Sequence, residues 1–170
     1  MVLRSQRILL RRIHPSERSM LEGLMDAYLA ELAATTGTET GDAASYEYLP
    51  LYWREPERHP FFVFIGGICV GFALIRELRE ESAMQMSEFY VRPECRRRGL
   101  GRAAVDEIWR RFPGAWRLEV HCRNQHAVVF WSQCIREFAS GNIEVSETLE
   151  DDGGHIHYSF DIAVRDGPAP

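Results

Sequence analysis

The sequence places three arginines and two glycines in one short segment, Arg96-Arg97-Arg98-Gly99-Leu100-Gly101. The segment follows a run typical of a strand (84–91) and precedes a run typical of a helix that extends to Phe112. The first amides of a helix have no partner within it and, with the positive end of the helix dipole, they bind anions. Glycine lets the backbone approach a ligand closely. The spacing therefore predicts a phosphate or pyrophosphate site, reinforced by Arg102, with a solvated helix start as the alternative.

The distribution of charge supports a local anion site. All 20 basic residues are arginines, against 25 acidic residues, and the net charge is -5. Residues 92–111 hold seven arginines and three acids, whereas the remaining residues hold 13 arginines and 22 acids. Proteins that bind nucleic acid carry extended basic surfaces, so we expect no nucleic-acid partner. The absence of lysine is consistent with a compositional bias of the source genome or with avoidance of self-modification.

Other common classes of site are not indicated. The segment lacks the GxxxxGK[S/T] pattern of a P-loop and the GxGxxG pattern of a dinucleotide fold. The four cysteines form no CxxC pair, so we expect no disulfide and no metal site. No apolar stretch reaches the roughly 18 residues of a membrane span, and the N-terminus lacks the apolar core of a signal peptide. We therefore expect no membrane partner and a cytoplasmic location.

The elements that must position this segment follow from hydrophobic periodicity and turn residues. Their order is β-α-α-β-β-β-α-β-α-β-β, which predicts an α/β (α+β) single domain over residues 1–165 around a mixed sheet, with a frayed tail at 166–170. Ser16 is expected to cap the first helix, and Gly66-Gly67 to form a hairpin turn. The predicted strands are 8–13, 61–65, 68–76, 84–91, 116–121, 143–149 and 155–162. The predicted helices are 17–34, 46–54, one that follows the segment 92–101 and ends at Phe112, and 125–138. The apolar stripe of the first comprises Met20, Leu21, Leu24, Met25, Tyr28 and Leu32.

Two motifs resemble those of the GNAT superfamily of N-acetyltransferases. Arg96 to Gly101 resembles its acetyl-CoA signature, Gln/Arg-x-x-Gly-x-Gly/Ala, and Val91-x-Pro93-Glu94 before it is also typical. Downstream, Asn124-x-x-Ala127-x-x-Phe130-Trp131 is similar to the family's Asn-x-x-Ala-x-x-Phe/Leu-Tyr. One helix and one strand separate the motifs, as in that fold. The resemblance implies a mostly antiparallel central sheet flanked by helices, and direct transfer of an acetyl group from acetyl-CoA, the co-substrate, to a primary amine.

The resemblance also implies which residues bind acetyl-CoA. The backbone of Phe89, Tyr90 and Val91 should pair with the pantetheine arm, and a bulge or splay near there should free amides, one of which stabilises the oxyanion. Backbone amides of the basic segment should hold the pyrophosphate. Asn124 should fix the pantetheine or the splayed strand, with a plain helix cap as the alternative. Phe130 should pack along the cofactor or in the core. The full set of implied binding residues is Phe89, Tyr90, Val91, Arg96, Arg97, Arg98, Gly99, Leu100, Gly101, Arg102, Asn124 and Phe130.

Glu88 is the candidate general base that accepts the proton of the amine. Counting by twos along the strand places Glu88 and Tyr90 on the face opposite to Phe89 and Val91. A carboxylate in a central strand is costly unless it has a partner or a role. A surface or salt-bridged glutamate is the alternative. His121, at the end of the next strand, is the weaker candidate base, with a satisfied edge histidine as its alternative.

The candidate acid differs from the family. The tyrosine that usually protonates the leaving thiolate is Trp131 here, and an indole N–H is a poor acid. Ser132, Cys134, Tyr90 or water remain as substitutes, as does unassisted departure of the thiolate. This difference makes a non-catalytic acyl-CoA-binding regulatory module the alternative to an enzyme.

Acidic and aromatic residues lie in the two regions that usually shape the acceptor site of the family, the segment before the second strand and the last hairpin. They suit a cationic small-molecule or peptide amine, although acids on hairpins also form ordinary solvated surface. A homodimer is a further possibility. The residues concerned are Glu39, Asp42, Tyr46, Glu47, Tyr48, Trp53, Glu144, Glu147, Glu150, Asp151 and Asp152.

Overall fold

A computed structural model describes residues 7–149 and 153–165 of the chain. The described residues form seven strands and three α-helices. The strands are β1 (Ile8–Arg12), β2 (Arg58–Ile65), β3 (Ile68–Leu78), β4 (Ala83–Val91), β5 (Gly114–His121), β6 (Ser140–Thr148) and β7 (His155–Ile162). The helices are α1 (Arg18–Thr36), α2 (Leu100–Arg111) and α3 (Gln125–Phe138). The predicted tail at 166–170 and the acids Glu150, Asp151 and Asp152 lie outside the described residues.

The strands form one sheet in the order β1-β2-β3-β4-β5-β7-β6. Every neighbouring pair is antiparallel except β4 and β5, which are parallel because α2 carries the chain back across the sheet between them. The predicted mixed, mostly antiparallel sheet is therefore confirmed. The β2–β3 hairpin turns at Gly66 and Gly67, as predicted, and both glycines have a positive φ.

Two hydrophobic clusters lie on opposite faces of the sheet. One joins α2 and α3 to the sheet around Trp109, Trp116 and Trp131. The other packs α1 and the segment that follows it against β2, β3 and Tyr90 of β4. Because successive side chains of a strand alternate between faces, β4 contributes to both clusters and separates two chemically different surfaces.

Four sequence predictions need correction. The helix expected at 46–54 is a 3-10 turn, Leu49–Trp53, because Pro50 can only open a helix and Pro56 closes the segment. His14, not Ser16, caps the start of the first helical segment, accepting from the Ser16 amide while Glu17 accepts from the His14 amide. Met20, predicted as part of the α1 apolar stripe, is 40% exposed to solvent, whereas Leu29, which the prediction omits, is a buried member of that stripe. Residues 140–142, which precede the strand predicted at 143–149, already belong to β6.

No helix among the described residues is long and apolar enough to cross a membrane. Within residues 7–149 and 153–165, no group of three or more histidine, cysteine, aspartate or glutamate side chains has the arrangement of a metal site.

Candidate active site

The parallel strands β4 and β5 diverge halfway along their length. They pair only from Ala83 to Met86 against Ala115 to Leu118. Ser87 is an extra residue in β4, because Glu88 pairs with Leu74 while Met86 pairs with the next β3 residue, Ile75. The predicted bulge or splay is therefore confirmed, and the structure contains both. We call the gap between β4 and β5 beyond Met86 and Leu118 the opening.

The backbone of β4 presents hydrogen-bonding groups to the opening at alternate residues. The Arg92 amide donates to the Val70 carbonyl on β3 over 2.8 Å, so the preceding Val91 carbonyl points the opposite way, into the opening. The Tyr90 carbonyl faces β3, since a Cβ on Gly71 would lie 2.0 Å from it. Strand alternation then directs the amides and carbonyls of Phe89 and Val91 into the opening. The expectation that the Tyr90 backbone also pairs with a ligand there is wrong.

The segment of residues 96–102, called here the arginine–glycine segment, begins α2 without a side-chain cap. Gly99 is the N-cap, with a φ of 73° that favours glycine, and nothing lies within 4 Å of the position of its absent Cβ. Among the described residues, the amides of Leu100, Gly101 and Arg102 have no acceptor. These three amides lie at the start of the helix, where the sequence predicts an anion site.

The four arginines of this segment differ in their contacts. Arg97 and Arg98 are exposed and have no carboxylate partner in the part of the chain that the structure describes. Arg102 pairs with Glu137 of α3, with 2.6 Å from Nε to Oε2. Arg96 differs most: its guanidinium binds both oxygens of Glu31 on α1 and the Val91 carbonyl, and its amide donates to Pro93. Arg96 is therefore occupied within the fold, and the expectation that its amide binds a pyrophosphate needs correction.

Gly101 and Phe130 serve packing beneath this segment. A Cβ on Gly101 would lie 3.3 Å from the Phe130 ring, closer than ordinary contact. The Phe130 ring is stacked on Phe89 with 5.9 Å between ring centroids and an interplanar angle of 8°. Both predicted binding residues thus brace the wall of the opening. Asn124 caps α3, its side chain accepting from the Ala127 amide over 3.3 Å, so the plain helix cap is the role that the structure gives it.

Glu88 lies on the α1 side of β4, on the same face as Tyr90, as the alternation predicts. Its carboxylate accepts one hydrogen bond on each oxygen, from the Tyr28 hydroxyl over 2.5 Å and from the Tyr46 hydroxyl over 2.7 Å. Burial raises the pKa of Glu88, the two hydroxyls oppose that rise, and the charge of Glu119 on β5 adds to it. Glu88 has no arginine partner among the described residues, so it is not a salt-bridged surface residue.

The alternative base and acids have other contacts. The Nδ1 atom of His121 accepts the Arg123 amide over 3.1 Å, and its ring packs against His155. Ser132 donates to the Val128 carbonyl of its own helix over 2.6 Å. Burial raises the pKa of Cys134 to about 12 and also raises the pKa of Tyr90. Cys134 and Tyr90 are therefore poor proton donors near neutral pH, and the Ser132 hydroxyl is engaged by its own helix.

Trp131 is part of the core. It is 7% exposed, and its ring packs edge-on against Phe89, with 5.4 Å between centroids, and against Phe130. The position of the family tyrosine thus carries a packing residue that supports the strand at the opening.

Of the acidic and aromatic residues expected on the acceptor side, Tyr46 is the only one within the described part of the chain that contacts Glu88. Trp53 donates to the Ile13 carbonyl, the Tyr48 ring lies beside Arg58, and Asp42 caps the turn at Ser45. Glu39, Glu47 and Glu144 are exposed, as is Glu147, which accepts from the Cys122 thiol.

Two functional residues of α1 escape the sequence analysis. Tyr28 is expected there only as a core residue, and Glu31 is not singled out. They lie three residues apart and so share one face of the helix. Tyr28 binds Glu88, and Glu31 binds Arg96. The sequence signal for these contacts is a hydroxyl and a carboxylate three residues apart, beside the apolar stripe of α1. Helix α1 therefore contacts both Glu88 and the arginine–glycine segment.

Comparison with known proteins gives the same fold. An acetyltransferase from Thermus thermophilus has 18% identity and a TM-score of 0.70, over 92% of this chain and 97% of that chain. A spermidine N-acetyltransferase from Vibrio cholerae, in complex with CoA and spermine, has 13% identity and a TM-score of 0.66, over 92% and 95%. A putative acetyltransferase from Salmonella typhimurium, with its cofactor acetyl-CoA, has 14% identity and a TM-score of 0.60, over 96% and 98%. No curated protein sequence matches the chain.

The family assignment comes from the sequence itself. Residues 22–134 match the model of the Acetyltransferase (GNAT) family. The matched region runs from α1 through β4, the arginine–glycine segment and β5 into α3, and so contains both sides of the opening. The fold, the opening and this match agree, and the chain belongs to the GNAT acetyltransferase family.

Proposed function

We propose that the protein transfers an acetyl group from acetyl-CoA to a primary amine, with Glu88 as general base. The observation that carries this proposal is the opening, which has unpaired backbone groups of β4 along its edge and a half-buried carboxylate on its α1 side. A thioester laid along that edge would meet the backbone that the bulge at Ser87 frees from the β3–β4 ladder. An amine approaching from the α1 side then meets both the carbonyl and Glu88.

The residues of the opening fit acetyl-CoA. Phe89 and Val91 offer backbone groups to an extended amide-containing arm, which joins the edge as an added strand does. The Val91 carbonyl already accepts from the Arg96 side chain, so the Val91 amide is the group of this residue left for the ligand. The amides of Leu100, Gly101 and Arg102, with Arg97 and Arg98 beside them, suit a pyrophosphate.

The chemistry divides between backbone and side chains. An amide freed by the bulge donates to the thioester oxygen as negative charge develops there. Glu88 accepts the proton that the amine loses on forming the new C–N bond, directly or through a water molecule. We assign no side chain as the acid, since a thiolate with a pKa of about 8.5 can leave without one.

The acceptor is proposed to be a cationic amine. The charge of Glu119 acts on Glu88, and the residues outside 92–111 carry an excess of nine acidic residues. Such a surface attracts cations. The spermidine N-acetyltransferase with spermine bound, which shares this fold, is in accord with that choice.

The test has two stages. Acetyl-CoA should raise the temperature of thermal unfolding, because a ligand that binds the native state stabilises it. The release of free thiol is then followed with a panel of monoamines, polyamines and short peptides. Failure of acetyl-CoA both to bind and to turn over would refute the proposal. Binding without turnover on any amine would favour a regulatory acyl-CoA-binding module, the alternative that Trp131 supports.

A further inference from the structure

We propose that Tyr28 and Tyr46 are positioning residues that hold the Glu88 carboxylate in the orientation in which it accepts the proton of the acceptor amine. This inference rests on the proposed function, in which Glu88 is the base. It assigns a role to two side chains that do not themselves contact the reacting atoms.

The two hydroxyls fix the plane of the carboxylate. Each donates to a different oxygen of Glu88, Tyr28 over 2.5 Å and Tyr46 over 2.7 Å, so the group cannot rotate without breaking a hydrogen bond. An ionised carboxylate has about four acceptor positions, two on each oxygen, so about two remain for a water molecule or an amine. The tyrosines thus orient Glu88 without occupying all of its capacity to accept a proton.

Both tyrosines are themselves held in place. The Tyr28 ring packs edge-on against Phe72 and lies 5.8 Å, between centroids, from Tyr90.

Tyr46 lies in the segment between α1 and β2, which is held against α1 by two hydrogen bonds. The Ala43 amide donates to the Asp26 carboxylate of α1, and the Thr40 hydroxyl donates to the Leu29 carbonyl of α1, each over 2.8 Å. A base held by rigid partners keeps its near-attack geometry, which is where positioning contributes to rate.

The hydroxyls also affect the charge state of Glu88. The titratable groups that face it are Tyr28 of α1, Tyr46 of the following segment, Tyr52 of the 3-10 turn and Glu119 of β5, and Arg58 interacts with Tyr46 and Tyr52. Burial and Glu119 favour the neutral acid, whereas the Tyr28 and Tyr46 hydroxyls favour the carboxylate. Hydrogen bonds to the charged form lower a pKa. Loss of either hydroxyl should therefore raise the pKa of Glu88 further.

The experiment uses Tyr28→Phe, Tyr46→Phe and the double variant, which keep the rings and remove the donors. The matched control is Tyr158→Phe, which removes a tyrosine hydroxyl on the opposite face of the sheet, where it lies 3.1 Å from Ser132. The Glu88 carboxyl is titrated by carbon-13 NMR of glutamate-labelled protein, and its signal is assigned by its absence in Glu88→Gln. The pH dependence of kcat/KM is measured on the same proteins.

Each single variant should move the carboxyl midpoint upward by about one pH unit, and the double variant should move it further. The acid limb of kcat/KM should move in the same direction, because Glu88 must be ionised to act. On the plateau, kcat should fall several-fold while the KM for acetyl-CoA stays unchanged. Tyr158→Phe should leave the midpoint and the limb where they are in the wild type.

Two results would overturn the inference and leave acetyl transfer itself intact, although the second would also remove Glu88 as its base. One is a wild-type protein that turns over while the tyrosine variants keep its carboxyl midpoint and acid limb. The other is a Glu88→Gln variant with full activity. A wild-type protein that neither binds nor turns over acetyl-CoA would instead refute the proposed function and the catalytic part of the inference with it. The carboxyl titration would in that case still decide whether the two hydroxyls hold Glu88.

Discussion

Two regions border the opening, the arginine–glycine segment and the surroundings of Glu88. They are called here its two sides, and they differ in how the chain forms them. The side of the arginine–glycine segment is one continuous stretch of chain, largely exposed to solvent, and it offers backbone amides. The side of Glu88 is assembled from α1, the segment before β2 and β4, and it offers half-buried side chains held by one another. Backbone donors suit a ligand that is always the same, whereas interlocked side chains suit a step that requires a defined charge and direction. Binding and chemistry should therefore be separable by substitution.

Glu88→Gln should have the largest effect and separate the two sides. Loss of a general base typically lowers turnover by about 10²-fold or more, so we expect a loss of that order in kcat. The amides of the arginine–glycine segment are untouched, so acetyl-CoA affinity, measured by calorimetry, should stay within about twofold of the wild type.

The control for this substitution is Glu22→Gln, which removes a carboxylate that pairs with Arg18 on the surface of α1. Glu22→Gln should leave both kcat and acetyl-CoA affinity unchanged. If Glu88→Gln weakened acetyl-CoA binding as much as it lowered turnover, the two sides would act as one site and binding would not be separable from chemistry.

Gly99→Ala should show the opposite pattern with a smaller effect. At a φ of 73° a residue with a Cβ is strained by about 1–2 kcal/mol, so the free loop should relax and turn its amides away. Recovering the binding conformation should then weaken acetyl-CoA binding by about tenfold, while kcat at saturation remains close to that of the wild type.

Gly66→Ala is the matched control, since Gly66 also has a positive φ, of 55°, and open space around it, but lies in the β2–β3 turn. It should lower the unfolding temperature without changing affinity for acetyl-CoA. Equal losses of affinity in the two variants would show that the effect is general destabilisation rather than the geometry of the anion site.

The same contrast explains how much the sequence could predict. The anion site lies within a few consecutive residues, so its glycines and the start of α2 are visible as a local pattern. The face of Glu88 also follows from simple alternation along β4. The Tyr28 and Tyr46 contacts, by contrast, join residues 60 and 42 positions apart in the chain. Such contacts depend on how α1 packs on the sheet, and no local periodicity encodes that packing.

The errors have the same origin. Arg96 carries the pattern of an anion ligand, yet its side chain is taken by Glu31, 65 residues away. The aromatic run at 46–54 has the composition of a short helix, but Tyr46 is held at Glu88 and the prolines leave room only for a 3-10 turn. In both cases tertiary contacts decide the outcome over local preference.

Glu31→Gln should have the smallest effect, because Glu31 belongs to neither side alone. It binds Arg96 on one side of the opening and shares its helix face with Tyr28 on the other. The Arg96–Glu31 pair is more than one-third exposed at both ends, and such pairs contribute at most about 1 kcal/mol. We therefore expect a change of about two- to fivefold, shared between acetyl-CoA affinity and kcat.

The control and the double variant decide whether α1 couples the two sides. Glu137→Gln frees Arg102 without touching α1, so it should alter acetyl-CoA affinity alone. If α1 transmits the effect, Glu31→Gln and Tyr28→Phe should combine non-additively in kcat, because both weaken contacts made by one helix, with Arg96 and with Glu88. Additive effects, or a change in affinity only, would mean that the two sides of the opening work independently and that the ion pair merely fastens the loop.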